Sequence, residues 1–169
     1  LGILNPEIGK YTVDDIEFVC AFDVDRRKVG IDLSKAIFQA PNSSTVFCDV
    51  PFLNVPVLKG HVYDGIAPHM ANVFQECIEQ PGVDVAEELV KAKVDILINY
   101  LPVGSKIATE YYANECLKAK VAFINAIPEF ICSSKEWEQK FIDAGLPCAG
   151  DDVKSQVGAT IINRVLAEL

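Results

Sequence analysis

The feature that most constrains the fold is a regular alternation of apolar runs and helix-like segments in the second half of the chain. The predicted strands cover residues 94–101, 121–126 and 147–150, and the predicted helices cover residues 83–93, 105–120, 133–144 and 154–169. Each strand is a short, solid apolar run, which is typical of strands buried on both faces of a parallel sheet. Parallel strands need crossover helices between them. The sequence therefore predicts an α/β fold with an open, doubly wound parallel sheet.

The first half of the chain gives weaker signals. Residues 16–22 form a short apolar run of strand formers, which predicts a buried strand that ends at Asp23. Residues 26–38 place apolar side chains on one helical face and are predicted as a helix. Residues 40–54 are predicted as a loop containing a short strand at 45–48, followed by an extended segment at 55–58.

Composition excludes several classes of protein. The net charge is −9, with 15 basic against 24 acidic residues, so we expect no nucleic-acid partner. The six cysteines include no C-x-x-C pair, which favours reduced thiols in a cytoplasmic protein. No apolar run reaches the roughly 18 residues of a membrane span, so we expect no membrane association. The two histidines, His61 and His69, have no recognisable ligand pattern, and we expect no metal site.

The chain ends are abrupt. The sequence does not begin with Met, and it ends inside an apolar helical pattern. We therefore expect residues 1–169 to form one domain that is truncated at both ends.

Polar, small and turn-forming residues follow the predicted strands. In open parallel sheets, ligands bind outside the carboxyl ends of the strands, so these residues are the candidates for a binding site. The candidates are Asp23, Pro102, Gly104, Ser105, Asn125, Ala126, Asp151, Asp152, Lys154 and Ser155.

Two interpretations of these acidic residues stay open. An acid such as Asp23, at the end of the second strand of a dinucleotide fold, accepts hydrogen bonds from ribose hydroxyls and favours NAD over NADP. Alternatively, Asp23 caps the helix that follows it. Asp151 and Asp152 can equally be functional carboxylates or the acids of a helix N-terminus. No G-x-G-x-x-G motif occurs, so the ribose role of Asp23 assumes a strand that precedes the chain.

Four segments resemble the myo-inositol-1-phosphate synthases of bacteria and archaea. They occur in the same order as in that family, and the resemblance extends essentially from end to end of the chain. The segments are residues 15–25, 95–105, 121–128 and, as the most specific match, the eleven residues 150–160 (Gly-Asp-Asp-Val-Lys-Ser-Gln-Val-Gly-Ala-Thr).

The resemblance implies a partial Rossmann-like NAD-binding domain that lacks the first strand and the catalytic α+β domain. It implies a homotetrameric isomerase of inositol and phospholipid biosynthesis that uses NAD and takes glucose 6-phosphate as substrate. Oxidation, enolisation, aldol cyclisation and re-reduction give 1D-myo-inositol 3-phosphate, with no net redox change. We expect this activity in the full-length parent and not in the fragment.

The resemblance also implies roles for the candidate residues. It places Asp152 near the nicotinamide and makes Asp152 and Lys154 the catalytic candidates, although Lys154 can instead be a charge partner of Asp151. The remaining candidates are implied to bind NAD. Two other hypotheses are a generic NAD(P)-dependent oxidoreductase domain and a non-catalytic nucleotide-binding relative.

Overall fold

The computed structural model describes residues 5–42, 45–66, 68–153 and 165–168. Sequence analysis predicts one domain over residues 1–169, whereas internal packing divides the chain into two compact units. The first unit is Leu1–His61 with Ile66–Val83, and the second is Val62–Gly65 with Asp84–Leu169.

The first unit contains two short strand pairs and one short helix. Its elements are β1 (Glu7–Ile8), β2 (Tyr11–Thr12), β3 (Phe22–Asp23), α1 (Leu33–Ala36) and β4 (Leu58–Lys59), with 3-10 turns at Val13–Asp15 and Pro68–Met70. β1 and β2 form an antiparallel hairpin that the sequence analysis does not predict. β3 and β4 are parallel, with Asp23 opposite Lys59. The extended segment predicted at 55–58 thus leads directly into a strand.

The buried strand predicted at residues 16–22 is wrong in its length and in its burial. Ladder pairing begins only at Phe22, and the side chains of Ile16 and Phe18 are 63% and 55% exposed. In the described part of this unit, no strand pairs with residues 16–20, and Ala21 only accepts the NH of Leu58 at 2.8 Å. Strand propensity reflects packing against neighbouring strands and faces, so an apolar run without such neighbours stays irregular. The strand predicted at 45–48 is likewise not formed.

The helix predicted at residues 26–38 is also wrong over its first half, where turns replace it. The buried Asp25 carboxylate accepts hydrogen bonds from the backbone NH and the guanidinium of Arg27. The Asp32 carboxylate caps α1 through the NH of Ser34 and also accepts the NH of Val55. Burial opposes ionisation of Asp32, but the hydrogen bond from the Ser34 hydroxyl, followed by those from backbone NH groups, outweighs it and lowers the pKa to about 2. Such side-chain bonds compete with helical ones.

The second unit contains the parallel sheet predicted from the sequence. Its strands, in the order β5-β6-β7, are β5 (Ile96–Asn99), β6 (Ala122–Asn125) and β7 (Cys148–Ala149), all parallel. Its helices are α2 (Val85–Lys91), α3 (Lys106–Ala119) and α4 (Lys135–Ala144). The α/β fold with parallel strands and crossover helices is therefore confirmed. The helix predicted at 154–169 lies largely outside the described residues.

The core of the second unit explains why its elements were predictable. Phe123 on β6 is fully buried and stacks on Phe141 of α4, with ring centroids 6.4 Å apart. Leu89 of α2 and Cys116 of α3 are also fully buried. Apolar side chains recur with the helical period along the helices and with the strand period along the strands, and both periods can be recognised in the sequence. In the described ranges, no helix is long and apolar enough to cross a membrane.

The N-terminus of α3 is capped by a residue distant in sequence. Ser105 occupies the N-cap position, but its side chain makes no capping hydrogen bond. Instead, the Asp64 carboxylate accepts the NH groups of Ile107 and Ala108, each at 2.8 Å. A carboxylate at this position satisfies unpaired helix donors and interacts favourably with the helix dipole.

Replacing Asp64 with alanine is expected to lower the free energy of unfolding by about 1–2 kcal/mol, because two helix donors lose their acceptor. Urea denaturation followed by circular dichroism measures the change. Ser105→Ala is the matched control, and it should change stability by less than about 0.5 kcal/mol. If Ser105→Ala proves the more damaging substitution, Ser105 caps this helix.

Candidate functional site

Two buried asparagines end the neighbouring strands β5 and β6 in register. Asn99 and Asn125 are 4% and 1% exposed and lie opposite each other in the parallel ladder. The Nδ2 of Asn99 donates to the Oδ1 of Asn125 at 2.9 Å and to the Oγ1 of Thr109 at 3.1 Å. Thr109 in turn donates to the carbonyl of Ser105 at 2.6 Å. This network joins the ends of two strands to the first turn of α3.

Asn125 also holds the segments that follow β6 and β7. Its Nδ2 lies 2.6 Å from the carbonyl oxygen of Glu129, 3.1 Å from that of Ile127 and 2.8 Å from the Oδ1 of Asp151. A buried amide with all its polar atoms satisfied fixes the groups around it. Asn125 therefore positions Asp151 and the turn after β6.

The Asp151 carboxylate is enclosed by hydrogen-bond donors. It accepts the Nδ2 of Asn125 and the backbone NH groups of Ile131, Cys132 and Ser133, at 2.8–3.1 Å. Partial burial would raise the pKa of Asp151, but hydrogen bonds from Asn125 and then from Ser133, Cys132 and Ile131 outweigh it and lower the pKa. The group is thus an ionised anchor for the segment that leads into α4.

The turn after β7 has an unusual backbone that presents Asp152 to solvent. Gly150 has a φ of +141°, and a Cβ there would collide with the carbonyl oxygen of Asn125. Asp152 has a φ of +68°, and its NH donates to the carbonyl of Ile127 at 3.1 Å. Its exposed carboxylate accepts the NH of Val153. Strained backbone held in place by its surroundings is common at functional sites.

The loop after β5 reaches the same edge of the sheet. Pro102 and Gly104 are exposed, and Ser105 is half-buried with its NH bonded to the carbonyl of Pro102 at 3.1 Å. Gly104 has a φ of +94° and no atom within 4 Å of the position of a Cβ. The backbone is therefore open to close approach by a ligand. Ala126 is buried, and its NH donates to the carbonyl of Asn99.

Asp23 lies in the first unit, at the end of β3. Its Oδ1 accepts the NH groups of Val24 and Asp25, and its Oδ2 accepts the Nζ of Lys28 at 2.9 Å. The side chain is 28% exposed and lines a cavity of about 80 Å³ together with Lys28 and Asn42. Oδ1 thus binds the turn that follows β3, while Oδ2 forms the ion pair with Lys28. The helix-cap interpretation is wrong, because turns follow Asp23 and α1 is capped by Asp32. The ribose interpretation stays a prediction.

Lys154 and Ser155 lie outside the described residues. Among those that are described, no three His, Cys, Asp or Glu side chains group closely enough to hold a metal ion.

Asn99 and Thr109 belong to the network but were missed by the sequence analysis. Asn99 lies inside the predicted strand 94–101, whereas the observed strand ends at Asn99. The search for polar residues that follow a strand therefore does not find it. A signal was present: Ile-Asn recurs at 98–99 and 124–125, which places an amide at the same position of two apolar runs.

The comparisons with known proteins agree with this description in sequence and in fold. The chain is 49% identical over 168 residues to the inositol-3-phosphate synthase of Corynebacterium glutamicum, covering 99% of the chain and 46% of that protein. It is 50% identical over 168 residues to the inositol-3-phosphate synthase of Mycobacterium tuberculosis, with the same coverages. No family model matches the chain.

Two solved structures are similar. The crystal structure of Ari2 gives a TM-score of 0.80 at 32% identity, covering 99% of the chain and 48% of that structure. A myo-inositol-1-phosphate synthase-related protein from Thermotoga maritima gives a TM-score of 0.68 at 23% identity, covering 93% and 48%. The second likeness concerns the fold alone.

Together, the fold and the comparisons define a Rossmann-like α/β chain in which polar residues lie at the carboxyl ends of the parallel strands. The predicted resemblance to the inositol-phosphate synthases is confirmed across nearly the whole chain. The chain spans about half the length of the curated relatives it matches.

Proposed function

We propose that the full-length gene product containing these residues is an inositol-3-phosphate synthase, which converts glucose 6-phosphate to 1D-myo-inositol 3-phosphate. The observation that carries the proposal is the 49% identity to the Corynebacterium glutamicum synthase over 168 residues. The Gly150–Asp152 turn, with its positive φ angles and its exposed carboxylate, supports it as a functional feature.

NAD is the proposed cofactor, and the residues present fit it. The exposed Gly104 has open space where a side chain would be, so backbone NH groups are accessible to a ligand. The side chain of Asp23 lines a cavity, where its carboxylate would accept hydrogen bonds from ribose hydroxyls. When bound, NAD supplies a reversible hydride acceptor, so oxidation and later reduction of the substrate leave no net redox change.

The two adjacent aspartates are proposed to have different roles. Asp151 is held by four donors, so we assign it to positioning and not to direct contact with NAD. The exposed Asp152 carboxylate would hold or move a proton next to the reacting carbons. Lys154 and Ser155 follow directly in the sequence and are proposed as a catalytic cation and a cofactor contact. Asn125 and Ala126 would support this edge of the site.

The remaining proposals rest on the family resemblance and on composition. We propose a cytoplasmic, homotetrameric isomerase of inositol and phospholipid biosynthesis that binds neither nucleic acid nor membranes. Light scattering of the purified full-length protein measures its oligomeric state directly.

We expect the full-length protein to form inositol phosphate from glucose 6-phosphate without accumulating NADH, because the cofactor is regenerated within one turnover. The assay measures inositol after phosphatase treatment, together with absorbance at the NADH wavelength. Steady NADH growth would identify a simple dehydrogenase instead. NAD binding without any turnover would identify a non-catalytic relative.

In that protein, Asp23→Ala is expected to weaken NAD binding by about 1–3 kcal/mol, roughly a 5- to 150-fold rise in Kd, because ribose hydroxyls lose an acceptor. Calorimetric titration with NAD, beside a thermal melt, separates binding from stability. The control is Asp49→Ala, which removes an exposed loop acid. Unchanged NAD affinity with a lower melting temperature would show that Asp23 only stabilises the turn that follows β3.

A further inference from the structure

Two cysteines of the second unit lie side by side without a disulfide bond between them. The Sγ atoms of Cys132 and Cys148 are 2.7 Å apart, and both residues are free thiols. Both are half-buried, so a small oxidant can reach them. Cys132 precedes α4 and Cys148 lies on β7, so the pair closes a loop around α4.

The pair also joins the two segments that hold the Asp151 anchor. The NH of Cys132 donates to the Oδ1 of Asp151 at 3.0 Å. Cys148 is paired with Phe123 in the sheet and precedes the Gly150 turn by two residues. A covalent link between the sulfurs would therefore fix the anchor and its turn from both sides.

We propose that Cys132 and Cys148 are a redox modification site that forms a reversible intramolecular disulfide under peroxide. One thiolate attacks hydrogen peroxide, which breaks the O–O bond and gives a sulfenic acid and hydroxide. The second thiol attacks that sulfur, the S–S bond forms, and water leaves. Overall, two thiols and one peroxide give one disulfide and two waters. An added dithiol reverses the reaction by exchange.

The surroundings of the two thiols indicate how pH acts on their oxidation. Burial raises the pKa of Cys148, an effect that its hydrogen bond with Cys132 partly offsets. Burial, together with that hydrogen bond, raises the pKa of Cys132. The Asp151 carboxylate raises the pKa of both thiols, and Cys116 also lies near Cys148. Both thiols are therefore harder to ionise than an ordinary cysteine, and the rate of oxidation should increase as the pH rises.

Peroxide oxidation of the 169-residue chain, followed by trypsin and mass spectrometry, tests the proposal. Cys132 and Cys148 fall in separate tryptic peptides, residues 121–135 and 141–154, and each peptide contains no other cysteine. We expect these peptides to be linked, with loss of two hydrogens from the intact chain and reversal by dithiothreitol. The oxidised chain should melt about 5 °C or more above the reduced one.

Matched variants make the result specific. Cys132→Ser and Cys148→Ala should each abolish the link, whereas Cys48→Ser, which removes an exposed thiol, should leave it intact. A link from Cys148 to the buried Cys116, or unlinked peptides carrying only added oxygen, would overturn the proposal. The readout is the mass of the peptides, so it is independent of the proposed enzymatic activity.

Discussion

Replacing Asp151 with asparagine is expected to lower the melting temperature by roughly 5–10 °C, corresponding to about 2–3 kcal/mol of stability. The substitution keeps the shape of the side chain but removes the charge that faces four donors, three of them backbone NH groups. Hydrogen bonds to a charged acceptor are the stronger kind, and buried donors left without one are costly. Differential scanning calorimetry at pH 7 measures the change.

The neighbouring residue provides the control for this prediction. Asp152→Asn alters an exposed carboxylate, and asparagine tolerates the positive φ at this position, so stability should change by less than about 0.5 kcal/mol. Equal losses in the two variants would mean that Asp151 is not the anchor of this turn.

The difference between wild type and Asp151→Asn should depend on pH. The pKa of Asp151 in the folded chain lies below its ordinary value of 3.8. The carboxylate therefore contributes its full stability above that pH, and the contribution is lost as the pH falls through the folded value. As the pH is lowered below 3.8, the difference in melting temperature between the two proteins should shrink. A difference that stays constant at low pH would show that the charge contributes nothing.

In the full-length protein, Asp152→Asn is expected to lower kcat for inositol phosphate formation by roughly 100-fold or more, because an amide cannot take up and return a proton. This expectation depends on the proposed function. The measurement is the steady-state rate with saturating NAD and glucose 6-phosphate. The melting temperature and the affinity for NAD should stay close to wild type.

Asp143→Asn is the matched variant for this experiment, since it neutralises an exposed aspartate on α4. It should leave kcat unchanged. If Asp152→Asn retains kcat within about twofold of wild type, Asp152 moves no proton, and Lys154 becomes the first candidate to test.

The second unit was predictable from its sequence because packing and local propensity agree there. Its strands and helices begin and end within about two residues of the predicted limits, as at β6 (Ala122–Asn125) and α3 (Lys106–Ala119). The rule that ligand groups follow parallel strands also identified Asn125, Asp151 and Asp152, which the structure brings together.

Other features depend on side-chain geometry that a sequence pattern does not contain. Asp25 and Asp32 interrupt a helical pattern because their carboxylates accept backbone NH groups. Hydrophobic periodicity gives no sign that such side-chain bonds will replace helical ones. Asp151 and Asp152 are chemically identical neighbours, and only the backbone of the turn makes one an anchor and leaves the other exposed. Asp64 caps α3 from a segment 43 residues away in the chain.

The amide pair of Asn99 and Asn125 has a consequence for strand alignment. Short runs of Ile, Leu, Ala and Phe could pair in several alignments of similar energy, since one apolar side chain substitutes for another. In the native register, Ile98 is opposite Ile124 and the two amides are opposite each other. A shift by two residues would place each buried carboxamide opposite an apolar side chain and break the hydrogen bond between them. The cost is about 1–3 kcal/mol for each group left unsatisfied. The amide pair therefore specifies the register of β5 and β6, because only one alignment of the two strands keeps the amides hydrogen-bonded to each other.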